Sequence, residues 1–281
     1  MFSASLALSS REIHINDSNA SYFASSVIVD GDPKSRGRIP RDYEKEPHGS
    51  LSYAAPFALP LIPRSEWPDR IEELERRKTR LSDIVRYRKV PSLDQNGTNY
   101  CWCNAVITAI YALRAAAGLP FIALSPASVA APIKNGRNEG GWGAQALSYI
   151  VANGVCTQDV WPANSRDIRQ YDNTQSRQNR ANFKVDQWWD LKPRSFDQMM
   201  TCLFLGIPVP IGLNWWSHEV CAFDPILLRR SSIPENSLFG CRFRNSWSDS
   251  FGEQGFATLD EAKGTPDDAV APRVSTYTAK V

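Results

Sequence analysis

The cysteine at position 101 is the residue whose type and setting most clearly favour chemistry. It opens residues 101–116, which are largely apolar, contain no proline and are followed by Gly118-Leu119-Pro120, so the pattern predicts a helix. The first turn of a helix has unpaired backbone N–H groups and the positive end of the helix dipole, and both favour a thiolate. Cys101 is therefore either a nucleophile or a small buried apolar side chain, and the local sequence leaves both interpretations open.

A cysteine nucleophile needs a base that accepts its proton and a third group that orients the base. Of the three histidines in the chain, only His218 lies in the same predicted domain as Cys101. His218 begins an apolar run, where a histidine is more often a hydrogen-bonded core residue, and Asn245 follows another apolar run. Trp247 is placed to shield an Asn–His hydrogen bond from water. His218 and Asn245 are the candidates for the base and its orienting group.

The order of these residues resembles that of the papain-like cysteine proteases, the papain and cathepsin family. That family has a glutamine six residues before the cysteine and a tryptophan directly after it, matched here by Gln95, Cys101 and Trp102. A Gly-Gly loop that pairs with the substrate backbone comes later in the family, and Gly140-Gly141 resembles it.

The second half of the resemblance lies in the strand-rich part of the chain. The family has a histidine at the start of a strand, matched by His218, and an Asn-Ser-Trp segment followed by Gly-Glu-x-Gly, matched by residues 245–247 and 252–255. The resemblance implies a catalytic triad of Cys101, His218 and Asn245, with an oxyanion hole formed by Gln95 and the backbone N–H of Cys101. It also implies substrate contacts, which we expect from Gly140, Gly141, Trp216, Trp247 and Trp102.

The resemblance implies an α+β fold of papain-like type, with a helical left subdomain, a β-rich right subdomain and the active site in the cleft between them. The sequence pattern agrees, because residues 91–281 carry helix signals first and strand signals later. We predict that this range forms a papain-like cysteine protease domain. Strands are expected at residues 183–189, 207–213, 220–223, 237–244, 256–259 and 274–281.

The chain before residue 91 does not match the family well. Residues 1–64 predict an extended N-terminal arm, in which only residues 22–29 have the composition of a strand. Residues 65–90 predict a linking helix that ends at Pro91. The arm is expected to dock either on its own cleft, as an inhibitory segment, or on a partner in an assembly.

Two departures from the family pattern change what the resemblance implies. Thr98 stands three residues before Cys101, where the family usually has a cysteine, and the partner cysteine before the Gly-Gly loop is also absent. The stabilising disulfide of secreted members is therefore missing, which indicates a reducing compartment. Trp216 stands where family members usually carry a smaller residue that lines a pocket for a substrate side chain, so a narrowed pocket is expected.

The composition argues against several other classes of protein. Lys and Arg number 32 against 30 Asp and Glu, and the basic clusters are short, so no nucleic-acid partner is expected. No apolar stretch approaches the roughly 20 residues of a membrane span, and the first residues lack the features of a signal peptide. The six cysteines show no metal-site spacing, so no metal or cofactor is implied. A cytoplasmic or particle-associated location is expected.

The expected activity is hydrolysis of peptide or protein substrates by a cysteine-type peptidase, through a Cys-His-Asn triad and a thioester acyl-enzyme. An alternative is a papain-like domain with a mainly structural role in a larger assembly, such as a viral particle, with vestigial or limited catalysis. A third interpretation, a cell-wall peptidase, also uses Cys and His but does not explain the Asn-Ser-Trp segment at residues 245–247.

Overall fold

The computed structural model describes residues 12–25, 27–228 and 238–273, so the strand expected at residues 274–281 lies outside the described residues. The helices are α1 (Ala20–Ala24), α2 (Trp67–Arg77), α3 (Leu81–Tyr87), α4 (Cys101–Ala116), α5 (Ala127–Ile133), α6 (Gly143–Asn153), α7 (Ile168–Tyr171), α8 (Thr174–Arg180), α9 (Phe196–Phe204) and α10 (Glu261–Gly264), with 3-10 turns at Arg64–Glu66 and Asn214–Trp216. The strands are β1 (His14–Ile15), β2 (Ile28–Val29), β3 (Asp32–Pro33), β4 (Ala54–Pro56), β5 (Gln187–Leu191), β6 (Val209–Leu213), β7 (His218–Leu227), β8 (Phe239–Arg244), β9 (Phe256–Asp260) and β10 (Asp268–Arg273).

One sheet forms the β-rich half of the described chain, with the strand order β1-β9-β8-β7-β6-β10-β5-β4. Its centre is antiparallel, since β7 pairs in antiparallel orientation with both β6 and β8. Both outer strands come from the N-terminal arm, since β1 pairs with β9 and β4 pairs with β5, each in parallel. The arm therefore completes the sheet at both edges.

Helix α4 is the central element of the helical half. It is buried along most of its length, because its sequence is apolar around nearly the whole circumference. It packs against β6 and β7 on one side and against α3, α5 and α6 on the other. Cys101 belongs to the hydrophobic cluster around α4, whereas Trp216 and Trp247 belong to a second cluster within the β-rich half. The predicted α+β fold is confirmed, and the candidate site lies where its two halves meet.

Three local elements differ from the sequence prediction. The helix expected over residues 65–90 is two helices, because Lys78 adopts a left-handed φ of 53° and ends α2. The strand expected at residues 22–29 begins instead as α1, whose Phe23 packs edge-on against Trp216, so tertiary packing overrides the local β-propensity. Strand β10 was not expected, and it forms because β5 and β6 pair with it on either side.

No helix in the described part of the chain is long and apolar enough to cross a membrane.

Candidate active site

Cys101 is the first residue of α4, and its side chain is fully buried. The pKa of the thiol is raised to about 12, mainly by burial and also by the nearby charge of Glu219. Backbone hydrogen bonds from Glu219, Gly37 and Trp102 oppose the rise. A backbone group that lowers the pKa of a thiol must be an N–H that donates to the sulfur. In this conformation Cys101 is therefore a neutral thiol at neutral pH.

His218 and Asn245 are held together by neighbouring strands of the sheet. His218 opens β7, Asn245 directly follows β8, and the two strands pair. His218 Nε2 lies 2.8 Å from Asn245 Oδ1, which also accepts a hydrogen bond from the backbone N–H of Ser246. Because an amide oxygen can only accept, Nε2 carries the proton and Nδ1 is the basic nitrogen. Nδ1 is buried and has no hydrogen-bond partner among the described residues.

Aromatic side chains enclose the His218 imidazole. Trp247 stacks on the ring at a centroid distance of 4.8 Å, and Trp216 meets it edge-on at 5.0 Å. The pKa of His218 is lowered to about 3, mainly because of burial; the hydrogen bond to Asn245 opposes this shift and the positive charge of Arg36 adds to it. The imidazole is therefore neutral in this conformation, like the thiol of Cys101.

Gln95 has a fixed side-chain amide. Its Oε1 accepts a hydrogen bond of 2.6 Å from the Ser246 hydroxyl, which orients the amide nitrogen. Nε2 then donates to the carbonyl oxygens of Ser35, at 2.9 Å, and of Thr98, at 2.8 Å. One N–H of the predicted oxyanion hole thus already binds a carbonyl, and that carbonyl belongs to the N-terminal arm.

The arm segment at residues 35–39 runs across this site. Gly141 donates its N–H to Gly37 O at 2.9 Å and accepts from the Ile39 N–H at 2.9 Å. Between them, Arg38 donates its N–H to Ser217 O at 3.1 Å. Trp247 Nε1 donates to Ser35 O at 3.2 Å. The segment therefore forms backbone hydrogen bonds with both the helical and the β-rich half.

The close approach of this segment requires glycine at two positions. A Cβ added to Gly37 would overlap the backbone carbonyl of Asn99, and a Cβ added to Gly140 would overlap Gly37 O. Neither obstacle is the flexible end of a side chain, so neither can move out of the way locally.

No protein-family model and no curated protein match the sequence. Solved structures do match. Xylellain, a cysteine protease from Xylella fastidiosa, superposes with a TM-score of 0.56 at 15% identity, over 86% of this chain and 97% of that one. Digestive procathepsin L 3 of the Tenebrio molitor larval midgut gives 0.53 at 15% identity, over 66% of each chain. Bromelain from Ananas comosus, in complex with the E64 inhibitor, gives 0.51 at 17% identity, over 66% of this chain and 94% of that one. The chain has the fold of the papain-like cysteine proteases.

Within this papain-like fold, most of the residues singled out in the sequence surround the arm segment. Gln95, Gly141 and Trp247 hydrogen-bond to it directly, and Gly140 lies against it. Trp102 is fully buried beneath Gly141. Trp216 lies in the core of the β-rich half, where its Nε1 donates to Phe23 O at 2.8 Å.

Sequence reasoning missed the charged groups of the candidate site. Glu219 directly follows His218, is buried, and raises the pKa of Cys101. Asp268 and Arg38 form a buried ion pair between β10 and the arm. Glu219 could have been found from the sequence because it is adjacent to His218. The contact between Arg38 and Asp268 could not, because the two residues are 230 positions apart. In the described part of the chain, no group of three His, Cys, Asp or Glu side chains could hold a metal ion.

Proposed function

We propose that the chain is a cysteine peptidase that hydrolyses peptide bonds through Cys101, His218 and Asn245, and that its N-terminal arm holds it in a closed state. The observation that carries the proposal is the hydrogen bond of 2.8 Å between His218 and Asn245. It leaves the basic nitrogen Nδ1 buried and without a hydrogen-bond partner among the described residues. The backbone N–H of Glu219, the residue after His218, hydrogen-bonds to the Cys101 sulfur, so the start of β7 lies against Cys101, which supports the pairing of the two residues.

The chemical steps follow from these roles. His218 Nδ1 takes the proton of the Cys101 thiol, and the sulfur attacks the carbonyl carbon of the substrate. Gln95 Nε2 and the Cys101 N–H donate to the oxygen as it becomes negative. The imidazolium gives its proton to the leaving amine, which leaves a thioester on Cys101. His218 then accepts a proton from water, hydroxide attacks the thioester, and the acid leaves as the sulfur regains a proton.

The closed state is supported by the positions of the arm's hydrogen bonds. Ser35 O occupies the Gln95 donor, and Gly37 and Ile39 occupy the backbone of Gly141. The backbone N–H of Gly37 hydrogen-bonds to the Cys101 sulfur, so the arm lies against the proposed nucleophile. Residues 35–39 must move before a substrate binds. Their departure hydrates the thiol and the imidazole, which moves both pKa values toward their ordinary range and permits an ion pair.

The test uses the full chain, because the arm supplies two strands of the sheet. Gly37→Ala introduces a methyl group that overlaps the Asn99 carbonyl, so it displaces the segment without touching a proposed catalytic residue. Gly97→Ala is the matched control, since a Cβ there has no heavy atom within 4 Å. We expect an epoxide probe of the E-64 type to label Gly37→Ala at Cys101, and to label wild type and Gly97→Ala much more slowly.

Turnover is measured on the same variants with a panel of peptide amides. Gly37→Ala is expected to hydrolyse members of the panel, Cys101→Ala in that background to hydrolyse none, and Gln95→Ala to be slower by about 10²–10³-fold. If Gly37→Ala is labelled at Cys101 and hydrolyses no peptide, the peptidase proposal is wrong. That outcome would favour the structural role in an assembly.

A further inference from the structure

The Arg38 side chain lies in a buried pocket above Gly212, which we call the slot. The slot is next to Gly141, whose backbone hydrogen-bonds to the arm. Arg38 forms a parallel bridge with Gly141, so it is the arm residue that pairs with the Gly-Gly loop. The side chain is 1% exposed although it carries a full charge. Its guanidinium donates to Asp268 Oδ1 and to Asn214 Oδ1.

The slot is formed by one row of residues across three strands. Gly212 in β6 pairs with Glu219 in β7 on one side and with Asp268 in β10 on the other. Directly paired residues on neighbouring strands point to the same face of a sheet. Two carboxylates therefore flank a residue that has no side chain. A Cβ on Gly212 would overlap both Arg38 Nε and Asp268 Oδ1, so the glycine provides the space for the guanidinium.

The slot contains two carboxyl groups, those of Glu219 and Asp268, but only one cationic side chain, that of Arg38. Burial raises the pKa values of Glu219 and Asp268, and the positive charge of Arg38 opposes both rises. Glu219 accepts a hydrogen bond from the Gly143 N–H, but its Oε2 is buried and has no partner among the described residues. Arg38 Nε likewise has no partner there. Glu219 Oε2 is an acceptor without a donor, and the group that fills the slot is the guanidinium cation of Arg38. Both observations favour a ligand with several N–H donors.

We propose that the slot formed by Gly212, Glu219, Asp268 and Asn214 is a side-chain pocket of the substrate cleft that selects arginine, and that Arg38 fills it while the arm covers the cleft. The peptide-binding role rests on the peptidase function proposed above, whereas the selectivity for a guanidinium does not. A planar guanidinium matches this pocket better than an ammonium, because it can donate to Asp268 and Asn214 at once and direct further N–H groups toward Glu219.

Chemical rescue tests the pocket without requiring catalysis. In the full chain, Arg38→Ala leaves Asp268 and Glu219 buried without their cation, so its melting temperature is expected to fall. n-Propylguanidinium at millimolar concentration should raise the melting temperature of Arg38→Ala by several degrees, while the neutral analogue n-propylurea should not. Wild type, whose pocket is filled, should respond to neither compound, and Arg38→Ala/Asp268→Asn should lose the response.

Two results would overturn the pocket. Equal stabilisation by the guanidinium and the urea would show that charge is not recognised, and a response retained in Arg38→Ala/Asp268→Asn would place the ligand elsewhere. If Arg38→Ala does not fold without an additive, the yield of refolded protein with each compound gives the same comparison.

Selectivity toward peptides is measured separately, with Arg38→Ala and a positional library of peptide amides. One position should prefer arginine over the neutral isostere citrulline by roughly tenfold, as expected for a charge-assisted hydrogen bond to a carboxylate. Asp268→Asn in that background should reduce the ratio. Hydrolysis with no arginine preference would refute the arginine-selective pocket alone. Absence of any hydrolysis, together with specific rescue by propylguanidinium, would refute the peptidase function and leave the pocket standing.

Discussion

His218 Nε2 lies 2.8 Å from Asn245 Oδ1, and both side chains are completely buried. Because Asn245 Oδ1 can only accept, this one hydrogen bond fixes both the orientation and the tautomer of the imidazole. It also leaves a buried base whose protonation the fold opposes, since the pKa of His218 is about 3 and its ordinary value is 6.5. This difference makes stability depend on pH.

The first prediction concerns stability in acid. A histidine whose folded-state pKa is lowered contributes stability above its unfolded pKa and loses it as the pH falls toward the folded value. The loss should begin near pH 6.5 and continue toward pH 3, at about 1.4 kcal/mol per pH unit. His218→Gln keeps an N–H that can donate to Asn245 but does not titrate, so its stability should fall less between about pH 7 and about pH 5.

Urea unfolding of both proteins across this range provides the measurement. Buried carboxyl groups with raised pKa values, such as Glu219 and Asp268, change stability in the opposite direction. They are present in both proteins, so the difference between wild type and His218→Gln isolates the imidazole. Parallel pH profiles would contradict the buried neutral histidine.

The second prediction concerns the amide of Gln95. Its Nε2 donates to two carbonyl oxygens, those of Ser35 and Thr98. Gln95→Glu would place a carboxylate oxygen against both acceptors, so we expect a loss of about 1–3 kcal/mol in the free energy of unfolding and weaker docking of the arm. The measurements are urea unfolding and the rate of Cys101 alkylation, which should rise.

Gln95→Met is the control for this repulsion, because it removes the donor without adding a charge. It should destabilise the protein less than Gln95→Glu does. Equal stability of the two variants would mean that the carbonyls of Ser35 and Thr98 do not depend on Gln95.

The candidate triad was predicted from the resemblance to papain-like cysteine proteases, because the local signals at Cys101 and His218 also fit buried core residues. In the structure Cys101 begins an apolar helix, His218 begins a strand, and Asn245 directly follows one. The two halves of the fold followed from the same order of helix and strand signals. The local pattern alone favoured a core role for His218 and the resemblance assigned it to the triad; in the structure it is fully buried and hydrogen-bonded to Asn245.

The course of the arm could not be predicted, because its contacts are made far away in sequence. Arg38 meets Asp268 across 230 positions, and Arg41 meets Asp190 across 149. Arginine in a polar segment usually indicates solvent exposure, and only the paired carboxylate explains its burial. Strand β10 was missed for a related reason: it starts with Asp268 and contains Pro272, yet it pairs with strands on both sides.

The third prediction concerns the buried ion pair between Arg41 of the arm and Asp190 of β5. Both side chains are 0% exposed, and Arg41 Nη1 lies 2.8 Å from Asp190 Oδ1. Arg41→Met removes the partner of a buried carboxylate and should lower the free energy of unfolding by about 3–5 kcal/mol. The exposed pair Arg77–Glu73 is the control, and Arg77→Met should cost no more than about 1 kcal/mol.

Chemical denaturation of the full chain checks this prediction. A small effect of Arg41→Met would mean that the arm is not required for the stability of the fold. A large effect would show that the arm is integral to it, in keeping with its two strands at the edges of the sheet.

The last prediction concerns Trp216, which joins the arm to the candidate site. Its ring contacts Phe23 of α1 on one side and His218 on the other, and its Nε1 donates to Phe23 O at 2.8 Å. Trp216→Phe keeps an aromatic ring but loses the hydrogen bond, at a cost of about 1 kcal/mol, because Arg36 still donates to the same carbonyl. Cys101 should then be alkylated faster, and the amides of α1 should exchange hydrogen faster.

Trp215→Phe is the matched control, since it is the same chemical change one residue earlier. Trp215 Nε1 donates to Lys263 O instead of to the arm, so this variant should leave the alkylation of Cys101 unchanged. If both variants accelerate alkylation equally, general loosening of the β-rich half explains the effect. If only Trp216→Phe does so, the hydrogen bond to Phe23 is what couples the arm to the access of Cys101, and the narrowing tryptophan expected from the sequence acts through the arm.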